Sequence, residues 1–88
     1  MSVYVDDLIN HGTKGNSFWC HMWADELHEL QAMADAIGLK RAWIQVREGR
    51  MIKYHYDLAP SKRQLALNHG AVYMLASKWM TEQKEKQP

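Results

Sequence analysis

The chain has 88 residues, 47% of them apolar and 24% charged. That is enough for one small globular core and too little for two, and it excludes disordered, collagen-like and coiled-coil chains. Eleven Lys and Arg stand against ten Asp and Glu, so the net charge is +1, which argues against a generic DNA coat while leaving room for a local basic patch.

The single cysteine, Cys20, excludes an internal disulfide framework and a Cys-rich zinc site. It fits a reducing, cytoplasmic compartment. The start, MSVYVDDLIN, has two acids and no basic stretch ahead of an apolar run, so it does not read as a signal peptide. No run approaches the ~20 apolar residues of a membrane span. A domain this small buries only ~60–65% of its unfolded surface, which makes pairing with a second copy favourable.

Val3-Tyr4-Val5 reads as a strand ending at Asp6-Asp7. Residues 10–17, with two glycines and no apolar side chain, read as a loop. Phe18 to Trp23 is an aromatic stretch that fits either a short strand or the run-in to a helix. Residues 24–37 place Leu27, Leu30, Met33, Ala34 and Ile37 on one face of an amphipathic helix. Asp25 is its expected N-cap and Gly38 its stop. Residues 42–46 and 51–56 read as two strands of a hairpin around Arg47-Glu48-Gly49-Arg50, with a mobile insertion as the competing reading. Pro60 suits the first turn of a helix that runs to Asn68 and ends at Gly70. Residues 71–75 form a third strand candidate, and Ser77 caps a last helix with Trp79 and Met80.

The order β-α-β-(β)-α-β-α predicts a single α/β domain over 1–81. It is expected to be a small, largely parallel sheet flanked by helices. Residues 82–88 are expected to form a polar tail that frays.

Three groups of residues carry chemistry. Asp6-Asp7 closes a strand, where open α/β sheets place their ligands; the plainer reading is two loop acids. Trp19, Cys20, His21, Met22 and Trp23 set an aromatic wall beside an imidazole. Such a wall stacks a base or ring, or simply fills a small core. His55-Tyr56-Asp57 precedes Pro60-Ser61-Lys62-Arg63, two cations in a helix's first turn. The helix dipole disfavours them there, so a bound phosphate or an ion pair with Asp57 or Asp6 is expected to hold them. His21, His55, Asp6 and Asp57 suit a metal if the fold gathers them. No phosphate-binding Gly-rich loop, C-x-x-C or H-E-x-x-H is present. His11, His28 and His69 read as structural or solvated.

These residues give the chain a resemblance to the bacterial and phage family catalogued as domain of unknown function 4031. It rests on Val3 to Asp7, Trp19-x-His21 with Ala24-Asp25, and Glu29-Leu30 leading to Gly38-Leu39. It continues through Trp43-x-Gln45, His55-Tyr56-Asp57-Leu58, Pro60 to Arg63 and Gly70-Ala71, and it covers roughly residues 3–73. Two features depart from the family pattern. Ala59 stands where a Thr-like cap is usual, so Asp57 is the expected substitute cap, and 47–53 is longer than the usual linker. The resemblance implies a conserved-type polar site but names no reaction.

The residues together predict a crevice lined by Asp6, Trp19, His21, Trp23, His55, Tyr56, Asp57, Lys62 and Arg63. The leading expectation is binding of a small phosphorylated or nucleotide-like ligand. A phage accessory role acting on host nucleotide signals would suit it. The alternative is a metal- or His-dependent phosphoesterase or nuclease, with His21, His55 and Asp57 as catalytic residues. A third reading is a Trp-rich interaction module. A homodimer is the expected assembly.

Overall fold

The fold is seen in a computed structural model that describes residues 2–10 and 18–86. Of the loop expected over 10–17, Asn10 belongs to a strand and residues 11–17, His11 among them, lie outside the described residues. The strands are β1 (Val3–Val5), β2 (Ile9–Asn10), β3 (Phe18–Ala24), β4 (Gln45–Val46), β5 (Tyr54–Leu58) and β6 (Val72–Tyr73). The helices are α1 (Leu27–Ala36), α2 (Pro60–Asn68) and α3 (Ala76–Lys86), with one 3₁₀ turn at Arg41–Trp43. No helix among the described residues is long and apolar enough to cross a membrane.

The sheet runs β4-β5-β3-β1-β6, and β2 also pairs with β3. Every pair is antiparallel except β1 with β6. The expectation of a largely parallel sheet is therefore wrong. Its error lies at Phe18 to Ala24, an aromatic run that forms the longest strand and returns directly against β1. The helical crossovers remain. β3 and β4, joined through α1, run the same way, as do β5 and β6, joined through α2. β5 lies between the first two, and β3 and β1 lie between the second two, so neither crossover joins neighbouring strands.

Strand alternation sorts the side chains onto two faces. Val3, Val5, Cys20, Met22, Tyr56 and Leu58 point to one face, where Leu30, Met33 and Ala34 of α1, Ile37 just after it and Ala66 of α2 complete the core. The apolar spacing of α1 anticipated this, although Leu27 at its first turn stays exposed. Val72 is exposed on β6, the edge strand of the sheet. Gly38 takes φ +80° and closes α1 as expected.

The opposite face carries Tyr4, His21, Trp23, His55 and Asp57. Part of it is covered by α3, whose Trp79 meets Trp23 edge to face at 6.2 Å. Asp25 does not cap α1. Its carboxylate accepts bonds from Ser2 N–H, the Tyr4 hydroxyl and Trp79 Nε1–H, tying the start of β1 to α3. Burial alone would raise this carboxyl, but the three donors outweigh it and hold it below the usual carboxylate range. Nor does Asp57 cap α2, whose N-cap position is Ala59 and has no side-chain cap bond; Asp57 belongs to β5 and is turned toward His55. The polar stretch after Thr81 continues α3 as helix to Lys86 rather than leaving it.

Candidate functional site

The site starts from a defect in the ladder. Val5 stands opposite Met22, and Ile9 stands opposite Trp19. Between those pairs Asp6, Asp7 and Leu8 face only Cys20 and His21. The extra residue makes a β-bulge, a feature that re-aims side chains. Here the Asp6 carboxylate does part of the work of the ladder. Its Oδ1 accepts the His21 main-chain N–H at 2.6 Å, and its Oδ2 meets His21 Nδ1 at 2.9 Å. The Asp6 carbonyl is turned away and accepts Arg63 Nε–H at 2.9 Å. Asp6 itself is 7% exposed, so its charge faces donors rather than water.

Across the sheet His21 is paired with Asp57 of β5, and His55 lies two residues along the same strand. The His21 and His55 rings meet edge to face at 5.4 Å, and His55 Nε2 lies 3.6 Å from Asp57 Oδ1. One ligand atom from each of His21, His55 and Asp57 lies within 4.8 Å of the others. With Nδ1 facing Asp6, His21 keeps Nε2 for a ligand. A carboxylate behind a histidine in this way is the usual support of a metal-binding imidazole, because it fixes the tautomer and raises the basicity of the ring.

The two imidazoles are pushed in opposite directions. The bond to Asp6 raises the His21 pKa above the ordinary histidine value against the opposing effect of burial. Burial lowers that of His55, outweighing the attraction of Asp57. The positive charge of Arg47 acts to lower both.

A cavity of about 170 Å³ opens over these rings, lined by His21, His55, Arg47, Arg50, Met51, Ile52, Ala76 and Met80. One wall is the tip of the β4–β5 hairpin and the other is the start of α3. Arg47 N–H donates to the Lys53 carbonyl at 2.8 Å, which closes the hairpin stem, and Gly49 at φ +76° makes the turn beyond it. Lys53 pairs with Glu48 at 3.4 Å. Neither Arg47 nor Arg50 forms an ion pair among the described residues.

The fold thus gathers Asp6, Trp19, His21, His55 and Asp57, with the Trp19 ring edge to face with His21 at 5.4 Å. Trp23 shares that face but is buried against Tyr4 and Trp79. Tyr56 points to the other face and is 1% exposed in the core. Lys62 also lies on the α1 side, where its ammonium bonds the Ile37 carbonyl at the end of α1 at 2.7 Å. Arg63 supports the bulge through the Asp6 carbonyl, so the ion pairs expected with the carboxylates of Asp57 or Asp6 do not form. Cys20 lies in the core, and burial, reinforced by Asp6, pushes its thiol up to about 12. It is neither a nucleophile nor a ready metal ligand.

Arg47 and Arg50 were absent from the predicted site. The signal was the Arg-Glu-Gly-Arg turn itself. Once that turn is a hairpin tip ahead of His55, its two cations hang over the strand that carries the imidazole.

A family model described as protein of unknown function (DUF4031) matches residues 3–86, nearly the whole chain, and the chain belongs to that family. No curated protein and no solved structure matches it.

Proposed function

We propose that this member of the DUF4031 family is a divalent-metal-dependent phosphoesterase whose metal ligands are His21, His55 and Asp57. The cluster of those three residues, with Asp6 behind His21, carries the reading. Two imidazoles and one carboxylate suit zinc, manganese, iron or cobalt. Three protein ligands leave coordination positions for water and substrate, the pattern of catalytic rather than structural sites. In hydrolysis of a phosphate ester, the oxygen of water bonds to phosphorus, the ester P–O bond breaks, and the released oxygen takes up a proton. A divalent ion supplies acidified water and charge neutralisation for such a step. The chain's own part is to hold the ligands on paired strands, to fix the His21 ring through Asp6, and to narrow access between the hairpin and α3.

Elemental analysis of protein purified without chelator tests this reading. About one equivalent of metal is expected, lost in His21→Ala and in Asp57→Ala, together with release of phosphate from p-nitrophenyl phosphate. Protein that purifies without metal and gives no heat with zinc, manganese or cobalt would defeat it.

A second reading, binding of a phosphorylated or nucleotide-like ligand without turnover, is favoured by Arg47 and Arg50 at the mouth of the cavity. Titration with AMP that saturates at one equivalent while no product forms, with or without added metal, would select it.

A further inference from the structure

The hydrolytic reading leaves the substrate open, and the walls of the cavity narrow it. Arg47 and Arg50 stand over the His21–His55 floor, yet the acids around them are already engaged: Glu48 with Lys53, Asp6 with His21, and Asp57 with His55. Arg47 and Arg50 bring two positive charges to the wall of one small cavity, and a divalent ion beside them would add to the positive excess over the single carboxylate ligand. An anion resolves that excess. Arginine is the residue type that grips phosphate with two parallel N–H bonds. The main chain at Arg47 is fixed, because its N–H bonds the Lys53 carbonyl in the hairpin stem.

The remaining lining is apolar: Met51 and Ile52 from the hairpin, Ala76 and Met80 from α3. Methionines adapt to flat or irregular organic groups. The space between the two walls is small, about 170 Å³, and suits one phosphoryl group with a compact organic part.

We infer that Arg47 and Arg50 form the phosphate-reading subsite of this centre, and that its substrate is a small phosphate ester whose organic part packs on Met51, Ile52 and Met80. This rests on the hydrolytic reading for turnover but not for binding. The test therefore measures affinity for inorganic phosphate and for AMP by calorimetry, on metal-free and on manganese-loaded protein, for wild type, Arg47→Gln, Arg50→Gln and the double variant. Both arginines are exposed, so the variants are expected to fold, and a thermal melt checks it.

Each single variant should weaken phosphate binding about 10-fold, and the double variant about 100-fold or more, given the ordinary strength of charge-assisted bonds. Metal stoichiometry should not change, and Arg47→Lys should restore part of the affinity. Met80→Asp should weaken AMP more than inorganic phosphate. Equal phosphate affinity in wild type and double variant, or no phosphate binding by wild type in either state, overturns the subsite. A single-stranded oligonucleotide bound more tightly than AMP overturns the small-substrate assignment. Should the protein fail to take up metal, the hydrolytic reading falls, while the metal-free titrations still decide the arginines.

Discussion

Asp6 grips His21 at two points, the main-chain N–H through Oδ1 and the ring Nδ1 through Oδ2. The first contact replaces a ladder bond that the bulge has removed. The second sets the imidazole's tautomer. A structural repair and a chemical adjustment are made by one carboxylate, so they can be separated by a substitution that keeps one oxygen and removes the charge.

Asp6→Asn is that substitution. In metal-free protein, histidine resonances followed by NMR should titrate above the ordinary ~6.5 for His21 and below it for His55. The variant should bring His21 down while leaving His55 on its side. The two rings contribute to stability with opposite signs. His21, with its raised pKa, stabilises fully below the unfolded value and loses that contribution as pH rises through its folded value. His55, with its depressed pKa, stabilises above the unfolded value and loses that contribution as pH falls through its folded value. Asp6→Asn should therefore lower Tm more at pH 5.5 than at pH 8. An equal loss at both would show that the charged pair is not there. Metal affinity should fall ~10- to 100-fold, as for other carboxylates that support a ligating histidine.

Arg63 is expected to act through the same bulge. Its Nε–H bonds the Asp6 carbonyl, and no other donor to that carbonyl is found among the described residues. Truncation to Ala should cost ~1.5–3 kcal/mol, the range for a hydrogen bond to a charged group. It should also shift the His21 resonances, although Arg63 does not touch that ring. A variant with wild-type Tm and an unmoved His21 signal would show that the bulge stands without it.

Local patterns in the sequence carried the helices well. The apolar spacing from Leu30 to Ile37, Pro60 at a helix start and Gly38 at a helix end are each decided within a few residues. The sheet was harder, because Phe18 to Ala24 is apolar on both faces. Met22 meets the core while Trp23 meets Trp79, so the run lacks the alternation that marks a strand with one wet face. The polar site was half legible. Asp6, His21, His55 and Asp57 stand out by type, and strand alternation puts them on one face. Lys62 and Arg63 stood out as well, because the helix dipole disfavours cations at a first turn. Main-chain carbonyls of distant segments supply their partners, and those appear only after folding.

The exposed edge at β6 carries the assembly prediction. Val72 and Tyr73 of β6 are 44% and 48% exposed on a strand whose outer side pairs with no other described strand, and Leu75 just beyond it is 45% exposed. An unprotected apolar edge in so small a domain favours pairing with a second copy. Light scattering at micromolar concentration should give the mass of two chains, and Tyr73→Lys should reduce it to one. A single-chain mass for the wild type would refute the dimer outright.

The last prediction concerns α3, which forms one wall of the cavity. Trp79 is the anchor of this helix: it is 8% exposed, packs on Trp23 and Tyr4, and donates Nε1–H to Asp25. The remainder of α3 is strongly polar, with Lys84 and Lys86 in its last turn. An isolated helix of this length is marginal in water, so its order depends on that one side chain. Trp79→Ala removes both the packing and the bond, and truncations of buried Trp cost ~3–5 kcal/mol in well-packed sites. The metal ligands sit on β3 and β5 and do not need α3. The variant should therefore lose hydrogen-exchange protection over 76–86 and weaken AMP binding through the lost Ala76 and Met80 wall, yet keep its metal at the same stoichiometry. Trp79→Phe should recover part of the protection by packing alone, without the Asp25 bond. Unchanged exchange over 76–86 in Trp79→Ala would mean that something other than Trp79 holds the helix. Loss of the metal in a variant whose sheet amides remain protected would mean that the ligand cluster extends beyond the three residues assigned to it.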